Sequence, residues 1–212
     1  FVGDTTPIQR CKKLLPSEYL IYDIEKNTIK KNKYWSIEYK RSEDDEGKIN
    51  SKIDSLLKVS VEQHLRSDVP VAIYLSGGID STSLATIAKK KLKFNNLTAF
   101  NLKFNEPTFD EDKQANFTSN ELGIKLITHS ISEKESVKKS LSLIDELDEP
   151  LSDPGYLAVG IIAEFVKRNN FKVVISGDGG DELFGGYEPF LKLNYYKIIS
   201  KFPILRKMIN II

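Results

Sequence analysis

The chain has 212 residues, of which 40% are hydrophobic and 29% charged, with a formal net charge of +1; this suits a soluble globular protein of one sizeable domain plus an appendage. The near-neutral balance gives no bulk attraction to nucleic acid or an anionic membrane, and neither is expected as a partner. A single cysteine, Cys11, excludes an internal disulfide and a cysteine-rich metal site, and fits a reducing, cytoplasmic compartment.

The opening Phe1-Val2-Gly3-Asp4 has no basic flank followed by an apolar stretch, so it does not read as a signal peptide. It lacks an initiator methionine, which fits a processed chain or an excised fragment. Glu18 to Asp23 and Asn32 to Ile37 read as two short strands around a Lys/Asn-rich turn. Arg41 to Lys48 is charged and free of apolar residues, and reads as a solvated linker. The expected division is therefore 1–46, an appendage with linker, and 47–212, the main domain.

From residue 50 helices and strands alternate. Ile53, Leu56, Leu57, Val61 and His64 recur at helical spacing. Val69 to Leu75 is a short apolar strand, and Asp80 to Leu92 a helix with an acidic start and lysines near its end. Leu97 to Phe104 and Ile124 to His129 follow as strands, with a helix from Glu111 to Leu122 between them, stopped at Gly123. Glu133 to Leu147 is the next helix, and Pro150 and Pro154 precede another from Tyr156 to Asn169. Phe171 to Ile175 is the last strand; Tyr195 to Ile212 reads as apolar helix faces broken at Pro203. The longest apolar stretch, Tyr156 to Val166, is shorter than the roughly 18–20 residues needed to span a bilayer.

This alternation predicts an α/β fold, a parallel sheet with helices on both faces. Counting the sheet's strands from Val69, the order 3-2-1-4 would bring the loops after the first and fourth together. Such sheets bind ligands where strand order reverses.

Both loops carry chemistry. Ser76-Gly77-Gly78-Ile79-Asp80-Ser81 joins a strand to a helix, and has the parts of an anion cradle. Its glycines let backbone N–H groups approach an anion, and the helix N-terminus and hydroxyls add donors. It lacks the Gly-Lys-Ser/Thr of a Walker loop. The second run, Ser176-Gly177-Asp178-Gly179-Gly180-Asp181-Glu182-Leu183-Phe184-Gly185-Gly186-Tyr187, gathers three acids among five glycines, and its Leu183-Phe184 suggests an ordered, partly buried loop. Acids beside a polyphosphate cradle imply a divalent cation between them, since the carboxylates would otherwise repel the phosphates. His64 and His129 share no ligand spacing and read as ordinary structural residues.

The first loop resembles the PP-loop of the N-type ATP pyrophosphatases, which include GMP, argininosuccinate, NAD and asparagine synthetases. The second resembles the signature of the asparagine synthetases and close relatives. What this resemblance implies is a PP-loop ATPase domain of the adenine nucleotide alpha hydrolase type, preceded by a hairpin remnant of a glutaminase domain. ATP and Mg²⁺ would bind, with Leu75, Ser76, Gly77, Gly78, Asp80, Ser81, Leu102, Ser176 and Gly177 on the nucleotide. Asp80 and Asp181 would ligate the metal, while Asp178, Asp181 and Glu182 would serve the reaction. The strand's backbone at Leu75 and Leu102 would read adenine. Glu149-Pro150-Leu151-Ser152-Asp153-Pro154 resembles the family's acceptor segment, with Asp153 facing the site, and Phe109-Asp110-Glu111 its helix start.

By the same resemblance the reaction is adenylation of a carboxylate, aspartate first, followed by ammonia attack to give asparagine, AMP and pyrophosphate. The alternatives are another acceptor (a β-lactam or peptide-cyclising ligase, a sugar amidotransferase) or a nucleotide-binding module without turnover. Cys11 is not at an exposed N-terminus and reads as an ordinary small residue. Ammonia would then come from an absent glutaminase domain or a partner, with a homodimer as candidate assembly.

Overall fold

The computed structural model describes residues 3–40, 44–104, 111–190 and 192. The segments 105–110 and 193–212, which hold the Phe109-Asp110 reading and the apolar tail, lie outside the described residues. Among the described residues no helix is long and apolar enough to cross a membrane.

Four strands form one parallel sheet: β3 (Val71–Tyr74), β4 (Thr98–Phe104), β5 (Lys125–Ile131) and β6 (Val173–Ile175). A hairpin of β1 (Glu18–Asp23) and β2 (Thr28–Lys33) precedes it. The sheet order is β5-β4-β3-β6, the arrangement the sequence predicts. Chain order reverses at β3, which has β4 on one side and β6 on the other, so the loops leaving β3 and β6 are neighbours.

Alternation along the strands sorts the core into two faces. Val71, Ile73, Leu75 and Ala99 pack with helices α1 (Glu46–His64), α2 (Ile79–Thr86) and α3 (Glu111–Leu122), through Val61, Ala85 and Ala115. Ala72 and Phe100 face the opposite way, onto Ile162 and Val166 of α5 (Gly155–Arg168). Phe100 is fully buried and meets Phe165 and Phe171 edge-on, at 5.6 and 5.3 Å between ring centroids. Helix α4 (Glu133–Ile144) begins at Ser132, whose hydroxyl accepts from the Glu135 N–H at 3.2 Å.

Three local readings need correction. The second hairpin strand is Thr28–Lys33, ahead of the aromatic Tyr34-Trp35. A tight turn closes directly after Asp23: Lys26 N–H donates to Asp23 Oδ1, Tyr22 OH to Asn27 Oδ1, and Asn27 has φ +50°. Turn chemistry thus sets the register over strand propensity. The charged run after Arg41 ends as a helix start, not as linker, because Asp45 caps α1 by accepting from Lys48 N–H at 2.9 Å. The helix begun at Ile79 changes to a π-turn over Ile87–Lys91, where Leu92 N–H reaches back to the Ile87 carbonyl.

Candidate functional site

The loops leaving β3 and β6 form the walls of one cleft of about 650 Å³. Ser76, Gly78, Asp80 and Ser81 come from the first, and Ser176, Gly177, Asp178, Gly180 and Asp181 from the second. Gly77 makes the turn at φ +87°, a left-handed value that glycine takes without steric cost. Gly78 then caps α2, and its N–H is held by Ser76 Oγ at 3.2 Å. Ser81 Oγ donates to the Gly78 carbonyl and lies 3.2 Å from Ser76 Oγ. The start of α2 thus presents hydroxyls and first-turn N–H groups to the cleft, an arrangement suited to an anion.

The second loop folds into a short helix, α6 (Gly180–Phe184), entered through Gly179 at φ +89° and left through Gly185 at φ +71°. The N–H groups of Gly185 and Gly186 both donate to the Asp181 carbonyl, at 2.8 and 3.0 Å. Leu183 and Phe184 are 78% and 58% exposed, so the expectation of a partly buried loop is not met at these two side chains. They rim a second, apolar cleft of about 560 Å³ between α6, α2 and the Ile53, Leu57 and His64 side of α1.

The four acids have different surroundings. Asp178 accepts from Ser176 Oγ at 2.7 Å, and Glu182 accepts from the Tyr187 hydroxyl at 2.7 Å. Glu182 does not line the cleft, whereas Asp80, Asp178 and Asp181 do. Among the described residues, nothing donates a hydrogen bond to the side chain of Asp80 or Asp181. The described residues hold no group of three or more protein ligands for a metal. The hard oxygens of Asp80 and Asp181, from opposite walls of one cleft, nevertheless fit Mg²⁺, which takes one or two carboxylates and fills its shell with phosphate oxygens and water.

Leu75 is fully buried and its N–H is committed to the Phe100 carbonyl at 2.9 Å. Leu102 lies on β4 opposite His129 of β5, and neither leucine lines the cleft. Asp153 accepts from the Gly155 N–H at 2.8 Å, and its charge reaches Tyr187. Glu149 is paired with Lys13 at 2.7 Å, which ties the N-terminal arm to the Glu149–Pro154 segment. His129 Nε2 lies 2.8 Å from Glu135 with its ring stacked on Phe165, a structural setting as read.

Tyr74, outside both motifs, also lines the cleft, as do Ile79, Gly180, Phe184 and Gly186, motif residues to which the sequence assigns no role on the ligand. Strand alternation held the signal for Tyr74, since it puts that residue on the face opposite Ile73 and Leu75. Burial pushes the Tyr74 phenol up, and the Asp178 charge adds to this. The hydrogen bond to Glu182 is the main cause that pushes Tyr187 up to about 12, with burial and the charges of Glu182, Asp181 and Asp153 behind it.

A difference titration of phenolate absorbance, wild type minus Tyr187→Phe, should therefore show Tyr187 ionising at about 12. Its neutral phenol contributes stability that is fully present below the unfolded value near 10 and is lost as pH rises through the folded value. Glu182→Gln should bring the titration down towards 10; an unmoved titration would disprove the Tyr187–Glu182 pair.

The family model described as Asparagine synthase matches residues 52–209. Asparagine synthetase [glutamine-hydrolyzing] 1 of Bacillus subtilis (strain 168) is 34% identical over 178 residues, 83% of this chain and 28% of that protein. Amidase chyE of Penicillium rubens is 33% identical over 195 residues, 84% of this chain and 29% of that protein. Among solved structures, an NH3-dependent NAD synthetase from Campylobacter jejuni, in complex with the nitrate ion, matches with TM-score 0.42 and 24% identity. It covers 68% of this chain and 61% of that chain. The chain spans under a third of the length of the two curated relatives. With both glycine-rich loops inside a family match that covers most of its length, the chain belongs to the asparagine synthase family.

Proposed function

We propose that this chain is the ATP-activating part of an amide ligase that adenylates a carboxylate, aspartate first among candidates, for attack by ammonia. The carrying observation is the meeting of the two loops at the carboxyl ends of β3 and β6, with hydroxyls and helix N–H groups on one wall and three aspartates around the cleft. Residues 47–212 form the synthetase domain in this reading. Residues 1–46 are the end of a preceding glutaminase domain, and ammonia comes from that domain or a partner in the cytoplasm.

In the reaction a carboxylate oxygen attacks the α-phosphorus of ATP, and the bond to the bridging oxygen of pyrophosphate breaks. Ammonia then attacks the acyl carbon, loses a proton and displaces AMP. The first loop holds the departing pyrophosphate with Ser76, Ser81 and the N–H groups opening α2, an anion site that gains strength as charge develops. Asp80 and Asp181 would hold Mg²⁺, which when bound neutralises charge on pyrophosphate. Asp178, steadied by Ser176, faces the same space and orients the acceptor or its nucleophile. Leu75 and Leu102 would meet adenine through backbone groups other than the Leu75 N–H.

The match to a protein named an amidase favours a second reading, the same activation with another carboxylate as the acceptor of the adenylyl group. ATP–pyrophosphate exchange, screened over amino acids and sugar acids on the full chain, separates the two. Exchange with aspartate alone is the expected result, and exchange with a different acid supports the second reading. Mg²⁺-dependent ATP binding without any exchange would leave a binding module in place of an enzyme.

A further inference from the structure

The acids of the second loop and the aspartate of the first are held by two different devices. Asp178 and Glu182 are fixed by hydroxyl donors, Ser176 and Tyr187. Asp80 and Asp181 have no such donor among the described residues, and each is pressed against a glycine instead. A Cβ placed on Gly180 would stand 2.5 Å from Cγ and Oδ2 of Asp80 and 2.9 Å from its Oδ1. A Cβ placed on Gly186 would run into Oδ1 of Asp181 and stand 2.9 Å from its Cγ. Ordinary carbon contacts lie at about 3.5–4.0 Å, so neither position has room for a side chain while the carboxylate stays where it is. Gly177 stands close to Asp80 as well, with its Cβ position 3.0 Å from Asp80 Cβ and 3.2 Å from the Ser81 N–H nitrogen.

Backbone conformation does not demand glycine at 180 or 186. The left-handed positions of this loop are Gly179 and Gly185, and neither Gly180 nor Gly186 is among the positive-φ glycines. Gly180 even opens α6, where alanine is the better helix former. The space these glycines leave is filled by a carboxylate in each case.

We propose that Gly180 and Gly186 are positioning residues, which leave the room that lets Asp80 and Asp181 turn their carboxylates into one cleft to share a divalent cation. The proposal deepens the cation reading of this site and rests on it. At Gly180 the three atoms met all belong to the Asp80 carboxylate; at Gly186 the two nearest belong to that of Asp181, with the Asp181 Cα behind them at 3.3 Å, so an added methyl displaces a carboxylate first.

The test is Mn²⁺ binding in the presence of ATP, on the full chain, followed by loss of the free Mn²⁺ paramagnetic resonance signal. Gly180→Ala and Gly186→Ala should each weaken binding by about tenfold or more, the scale seen when groups that orient a metal ligand are altered. Thermal midpoints should stay close to wild type. In an Asp80→Ala background Gly180→Ala should have no further effect, because the carboxylate it displaces is gone. Wild-type affinity in both single variants, or a full additional loss in the Asp80→Ala background, overturns the proposal. If Gly180→Ala fails to fold, the Asp80→Ala/Gly180→Ala pair must regain the fold; a pair that stays unfolded puts the collision on the backbone and overturns it too. Absence of Mn²⁺ binding in the wild type would instead sink the cation reading itself.

Discussion

Asp181→Asn should lower Mg²⁺-dependent ATP–pyrophosphate exchange by about 100-fold or more, while Glu182→Gln, one residue along, should lower it by about tenfold or less. The first figure follows from electrostatics: stabilising charge on a departing pyrophosphate is worth several kcal/mol, and each ~1.4 kcal/mol is a factor of ten in rate. The contrast follows from placement. Asp181 lines the cleft, is about the size of the asparagine that would replace it, and has no hydrogen-bond donor among the described residues. Glu182 lies outside the cleft and already accepts the Tyr187 hydroxyl at 2.7 Å. The two acids are neighbours in one motif, and α6 sets the first against the cleft and the second outside it. Raising Mg²⁺ should recover part of the Asp181→Asn loss, since a weakened site fills again at higher concentration. Exchange at wild-type level in this variant would refute Asp181 as a metal ligand.

The corners of the sheet were legible because their residues leave few options. A β-branched apolar run into Ser-Gly-Gly, followed by Asp-Ser-Thr-Ser, specifies a buried strand, a turn with left-handed Gly77 and a helix start in one stretch of chain. Strand order was also within reach, since ligand chemistry split between two distant loops requires their strands to be neighbours. The division of labour among the acids was not legible. It depends on hydrogen bonds over two to five residues, Ser176 to Asp178 and Tyr187 to Glu182, and on the left-handed turns at Gly179 and Gly185 that aim them. Nor does sequence distinguish a glycine placed for its φ from one placed for space, the difference between Gly179 and Gly180. The second hairpin strand is shifted for a similar reason, while the first keeps its expected bounds: the aromatic Tyr34-Trp35 suggests a strand, but the Asp23–Asn27 turn sets the pairing.

Phe100→Ala should cost about 3–5 kcal/mol of stability, measured as a fall in denaturant midpoint at unchanged slope, whereas Phe117→Ala should cost about 0.5 kcal/mol or less. Both are phenylalanines, but Phe100 is fully buried between Phe165 and Phe171 and Phe117 is 61% exposed on α3. Truncating Phe100 loses the buried ring and leaves a cavity beneath α5, on the face where Ile162 and Val166 meet the sheet. Domains of this kind are stable by only about 5–15 kcal/mol, so the loss is a large share of the whole. The Phe100 carbonyl survives the substitution and still receives the Leu75 N–H, so the strand that feeds the first loop keeps its pairing. The molecules that remain folded should therefore bind ATP with near-normal affinity, and the variant should fail in midpoint and not in site. Equal midpoint shifts for the two variants would show that the α5 face is not the packed core described for it.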